Sequence, residues 1–186
     1  MKARFTPALF AHAEKVLGEV LRFDHPADAV VSRYFREHRE LGHADRGFVA
    51  ETVFAVLRRK RSLEARCGER PTPRQLVLAA LAFAFGWNLR QLEAVLKASE
   101  TDWLAAAKAV READLPPAVR CDLPDWLYGA LVAQFGEGET LALARGMNQP
   151  APLDLRVNDL KTSRAAVLER LAGDGIAAVA GALSPL

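Results

Sequence analysis

The residues of this chain most able to do chemistry are cations. "LRRKRSLEAR" sets Arg58, Arg59, Lys60 and Arg61 side by side, with Arg66 beyond, and Arg70 and Arg74 extend the charge. On a helix, four consecutive residues spread over a wide arc, while Arg58 and Arg61 share a side. Guanidinium forks grip phosphate oxygens in pairs, so the cluster suits a nucleic-acid backbone. The same residues would equally make a solvated helix end, where cations offset the macrodipole by about 0.3–1 kcal/mol each. No aromatics interleave the run, so base stacking beside it is not supported. On the residues alone, both readings stand.

Other candidates are weaker. His38 and His43 have no cysteine or acid pair around them at metal-ligand spacing, which reads as surface or capping histidines and no metal site. "GEGE" at 136–139 lacks the Lys-Ser/Thr and the preceding strand of a phosphate loop, and reads as a turn between helices. Cys67 and Cys121 flank turns, far from any His-Asn/Asp set, and read as structural thiols. Two cysteines make neither a disulfide framework nor a zinc site, and they favour a reducing, cytoplasmic setting. Trp87, Trp103 and Trp126 occupy helical positions and read as packing residues. These residues offer no nucleophile-base-orienter set and no cofactor loop, so no catalytic residue is expected among them.

The elements that hold these residues read as helical for most of the chain. From Phe5 to Leu21 the apolar positions recur at three- and four-residue steps, leaving Glu14, Lys15 and Glu19 outside. Pro26 suits the start of a second helix, with Val30, Val31, Tyr34 and Phe35 on one face. A single helix is expected from Asp45, as N-cap, through the basic run to Gly68. Residues 74–86 have little polar face and predict the most enclosed helix. "WNLRQLEAVLKAS" and "ETDWLAAAKAVREA" complete a bundle ending near Ala113. After the proline-rich "DLPPAVRCDLP", two short helices are expected to turn at Gly136.

Beyond "QPAP" the period changes. Leu153, Leu155 and Val157 alternate with Asp154 and Arg156, the pattern of a half-buried strand. "TSRAAVLERLAG" reads as a helix capped by Thr162 or Ser163 and closed at Gly173, and "IAAV" as a second strand. Two strands are marginal alone, so further strands are expected to follow them and the chain reads as cut.

The bulk numbers agree with a globular protein. At 186 residues, 51% hydrophobic and 26% charged, the chain suits one domain plus a piece of another. The apolar run from Leu76 to Trp87 is shorter than the roughly twenty residues of a membrane span, so a soluble protein without membrane contact is expected. The net charge of +2 hides an asymmetry: residues 1–74 hold fifteen Lys/Arg against ten Asp/Glu, leaving ten against thirteen in the remainder. A positive front half invites a nucleic-acid partner.

Two stretches carry a family resemblance. "HADRGFVAETVFAVLRRKRSLE" resembles a helix of the first domain of bacterial rRNA cytosine-C5 methyltransferases. More specific are Leu123, Pro124, Trp126, Leu127, Phe135, Gly136, Asn148, Ala151, Pro152, Arg156, Val157, Asn158, Leu160 and Lys161, which match the segment preceding the catalytic domain in that family. The family is the RsmB/Sun/NOL type, whose first domain is similar to the antitermination factor NusB. The resemblance implies a mostly α protein: a NusB-like helical RNA-binding bundle over 1–115, a helical connector over 116–150, and over 151–186 the incomplete start of an α+β (β-α-β) subdomain. It implies that S-adenosylmethionine and two catalytic cysteines, in Pro-Cys and Thr-Cys contexts, belong to a later domain. Cys67 and Cys121 each follow Arg and fit neither context. No cofactor, metal or catalytic residue is therefore expected in this chain. The implied partner is ribosomal RNA, engaged by Arg46, Arg58, Arg59, Lys60, Arg61 and Arg66, with Arg156 and Lys161 as second choices. The alternative partner is a protein docked on the bundle, as in antitermination complexes.

Overall fold

A computed structural model describes residues 5–149, 151 and 153–183. Its eleven α-helices are α1 (Pro7–Val20), α2 (Ala27–Glu37), α3 (His43–Arg58), α4 (Lys60–Cys67), α5 (Pro73–Ala79), α6 (Leu89–Leu92), α7 (Ala98–Ala109), α8 (Pro117–Arg120), α9 (Asp125–Phe135), α10 (Glu137–Met147) and α11 (Arg164–Gly173). No strand occurs among the described residues, and the expected mostly α bundle is what the chain forms.

Local signals account for most helix boundaries. Thr6 caps α1 by accepting from the Leu9 N–H at 3.2 Å, and Pro7 needs no donor at the first position. Thr72 and Gln75 form a capping box that starts α5. Gly136, at φ +81°, ends α9 and begins α10 in a backbone conformation that a side chain would strain, so "GEGE" is a helix turn.

The contacts divide the chain into two units, 1–148 and 149–186. In the first, α1 lies at the centre and packs against α2, α3 and α5. Its Ala13, Val16 and Leu17 are wholly enclosed. Residues 76–82 are all buried, as the apolar run predicted, although the helix loosens into a π-turn over Ala80–Ala84. A second cluster joins Cys121, Leu123 and Ala144, with Leu127, Tyr128, Leu131 and Leu141 packed on it. Residues 116–148 of the expected connector, 116–150, are thus part of the first unit.

Two expectations need correction. The helix expected from Asp45 to Gly68 is two helices that meet at Arg59, whose φ of −119° leaves the α region. The first begins after Gly42, with Asp45 in its first turn instead of at the cap. The break has a tertiary cause. Asp122 accepts from the Ser62 N–H at 2.8 Å and its hydroxyl at 2.9 Å, capping α4 from sixty residues away.

In the second unit, α11 is capped by Ser163, as expected, but residues 153–157 and 176–179 carry no strand. A strand exists through its ladder of hydrogen bonds, and neither segment has one among the described residues. Leu153, Leu155 and Val179 remain exposed. Pro150 and Pro152 of the family-like motif lie outside the described residues.

Candidate nucleic-acid interface

The eight candidate cations fall into two groups. Arg46, in the first turn of α3, donates from Nε to the Leu41 carbonyl at 2.9 Å and lies over the Phe35 ring. Lys60 pairs with Glu64 one turn on, at 2.6 Å. Arg59 reaches the Asn148 carbonyl at the end of α10, at 3.3 Å. Arg61 donates to the Leu123 carbonyl and pairs with Asp125 at 2.9 Å. Arg66 donates to the Val110 carbonyl and sits over the Phe83 ring. All five are half-buried.

The side chains of Arg58, Arg156 and Lys161 are exposed and make no ion pair or hydrogen bond with the described residues. Arg58 ends α3. Arg156 and Lys161 belong to the second unit, where Asn158 shapes the turn by accepting from the Leu160 N–H at 3.2 Å.

Arg59, Arg61 and Arg66 thus act as clamps. Arg59 and Arg66 donate to the Asn148 and Val110 carbonyls at the C-caps of α10 and α7, where carbonyls lack intrahelical partners, and Arg61 donates to the Leu123 carbonyl in the loop before α9. Arg74 makes the most enclosed example. Its guanidinium holds Glu100 at 2.6 and 2.9 Å, reaches the Val95 carbonyl at 2.6 Å, and covers the Phe10 ring. That hydrogen bonding holds the Glu100 carboxyl below the usual carboxylate range, against its burial. Glu100 also accepts from the Lys97 N–H at 2.9 Å and so caps α7.

Three features escaped the sequence reading. Arg36 and Arg39 are exposed cations of α2 and the turn after it, with no ion pair among the described residues. They were passed over because they are spaced along the chain, not consecutive. A hollow of about 540 Å³ lies between Phe5, Trp87, Arg90, Gln91, Glu93 and Ala94. It sets a cation beside aromatic edges, a combination the basic run lacks.

The thiols are poor nucleophiles. Burial pushes Cys67 up to about 12. Burial also raises Cys121, against the pull of Arg120. A nucleophilic cysteine needs the opposite environment, exposed and electropositive. Among the described residues, no helix is long and apolar enough to cross a membrane.

Comparison with known proteins bears on what these cations face. Residues 123–186 match a family described as the RsmF/B-like methyltransferase ferredoxin-like domain. A probable ribosomal RNA small subunit methyltransferase B from Synechocystis sp. is 29% identical over 189 residues, which cover 84% of this chain and 42% of that protein. The chain spans less than half the length of this relative. No solved structure matches. The family match begins at Leu123, so α9 and α10 fall within it although they belong to the first unit.

Proposed function

We propose, from the premise that this chain corresponds to the N-terminal portion of an RsmB/Sun-family methyltransferase, that it engages ribosomal RNA and presents it for cytosine-C5 methylation without itself reacting. The observation that carries this reading is the likeness to a small-subunit rRNA methyltransferase across 84% of the chain, bundle included. The positive balance of residues 1–74 and the free side chains of Arg58, Arg156 and Lys161 support it. Two buried thiols with raised pKa values support the non-catalytic part. S-adenosylmethionine binding and methyl transfer are assigned to none of these residues. An rRNA substrate would place the protein in the cytoplasm.

Fluorescence anisotropy of the whole chain with labelled fragments of small-subunit rRNA tests the proposal. Binding should weaken with salt, log K falling by roughly 0.7–0.9 per phosphate neutralised. A parallel assay with radiolabelled S-adenosylmethionine should show no methyl transfer. Absence of RNA affinity at low salt would overturn the RNA-engaging role, and methyl transfer would overturn the non-catalytic one.

A further inference from the structure

Two imidazoles, twenty-six positions apart in the chain, meet where α1 packs on α2. His12 lies within α1 and His38 ends α2, and their rings stand edge to face with centroids 5.2 Å apart. Tyr34 joins them: its hydroxyl is 2.9 Å from His12 Nδ1, and its ring lies 4.1 Å from that of His38. His38 Nδ1 is 2.8 Å from Oε1 of Glu40. One ring nitrogen from each histidine and one carboxylate oxygen of Glu40 lie within 4.8 Å of one another.

We propose that His12, His38 and Glu40 bind a divalent cation of the zinc class. Two imidazole nitrogens and one carboxylate oxygen are a donor set suited to zinc, cobalt or nickel rather than magnesium or calcium. Zinc bonds of about 2.0–2.2 Å place tetrahedral ligand atoms roughly 3.3 Å apart, so the set must close by about 1.5 Å at its widest. The burden falls on the group able to move. Glu40 lies exposed in the turn after α2, whereas both histidines are half-buried against Tyr34, itself 1% exposed.

The surroundings suit a cation. Ligating histidines are oriented by a hydrogen bond at the other ring nitrogen, and the Tyr34 hydroxyl stands where it can orient His12. Glu40 supplies the negative charge at the site, and its Oε1 already lies 2.8 Å from His38 Nδ1. Lys15, 5.6 Å over the Tyr34 ring, is the opposing charge. The exposed side of Glu40 leaves the fourth position to water. A bound ion would tie α1 to the turn after α2, independently of RNA contact.

Titration of the whole chain with zinc, and with cobalt as a visible-absorption probe, tests the site. The expected result is saturable one-to-one binding, d–d absorption from cobalt and a raised Tm. His12→Gln, His38→Gln and Glu40→Gln should each weaken binding by about tenfold or more, while His43→Gln, outside the set, should not. Glu40 is exposed, so its variant keeps the test valid should a histidine variant unfold. Absence of saturable binding, or undiminished binding in Glu40→Gln or in a folded histidine variant, would overturn the site.

Discussion

Arg61 and Arg156 are the same residue type put to different uses. Arg61 turns inward to the Leu123 carbonyl and Asp125, joining α4 to the start of α9. Arg156, in the second unit, stands in solvent without an ion pair among the described residues. The densest run of positive charge is therefore largely engaged within the fold, while isolated cations elsewhere are free to meet a partner. A count of cations in a sequence gives the supply of donors. How many remain for a phosphate depends on how many helix-end carbonyls and carboxylates the fold must satisfy first.

The largest effect should come from removing the most enclosed inward cation. Arg74→Met keeps a stem over Phe10 but leaves Glu100, whose side chain is 14% exposed, without its guanidinium. A loss of about 2–3 kcal/mol is expected in urea unfolding at neutral pH. Glu100 has a lowered folded pKa, so its contribution is present above the unfolded value of roughly 4.3 and disappears as pH falls through the lowered value. The difference between wild type and Arg74→Met should therefore shrink in acid. A loss below about 0.5 kcal/mol would show that the inward cations are not structural.

Next in size is the cap that divides α3 from α4. Asp122→Ala removes both acceptors for Ser62 and should cost about 1–2 kcal/mol. Asp122→Asn should cost almost nothing. Burial raises the Asp122 pKa, with Ser62, Arg59 and Arg61 opposing. A carboxyl raised in the folded state contributes stability below its unfolded pKa of roughly 3.9 and loses it as pH rises through the folded value. A neutral amide should consequently gain on wild type between acid and neutral pH. It also suits the positive φ of 54° at this position. If both variants lose the same stability, the cap depends on the negative charge itself.

The cap also shows where sequence reading runs short. Periodicity placed the helices around Leu17, Val49 and Leu78 because core-facing side chains repeat at helical spacing. Gly136 was legible as a turn because its backbone conformation favours glycine. The break at Arg59 was not legible, since Asp122 imposes it from a distant loop. His12 was missed for the same reason, because its companions lie on another helix. The alternation around Arg156 is real in sequence, but a strand also needs a neighbour to pair with. At the interface, the residue types suited to RNA were visible in the sequence, and their engagement with Leu123, Val110 and Asn148 was not.

The smallest effects concern RNA itself, and they separate the two kinds of cation most directly. Arg58→Glu leaves no carbonyl or carboxylate unpaired among the described residues, so stability should hold within about 0.5 kcal/mol. If Arg58 meets a phosphate, its removal should weaken binding to small-subunit rRNA fragments a few-fold at low salt. The log K against log [salt] slope should also fall by about 0.7–0.9. Arg156→Glu and Lys161→Glu should act likewise and add to it, since none of the three shares a partner. Arg61→Glu should behave differently, losing stability first because it sets a carboxylate against the Leu123 carbonyl and Asp125. Anisotropy and urea unfolding on the same four proteins decide the matter. If Arg61→Glu stays fully stable and loses RNA while the three exposed variants keep it, the clamp and the interface have been assigned to the wrong arginines.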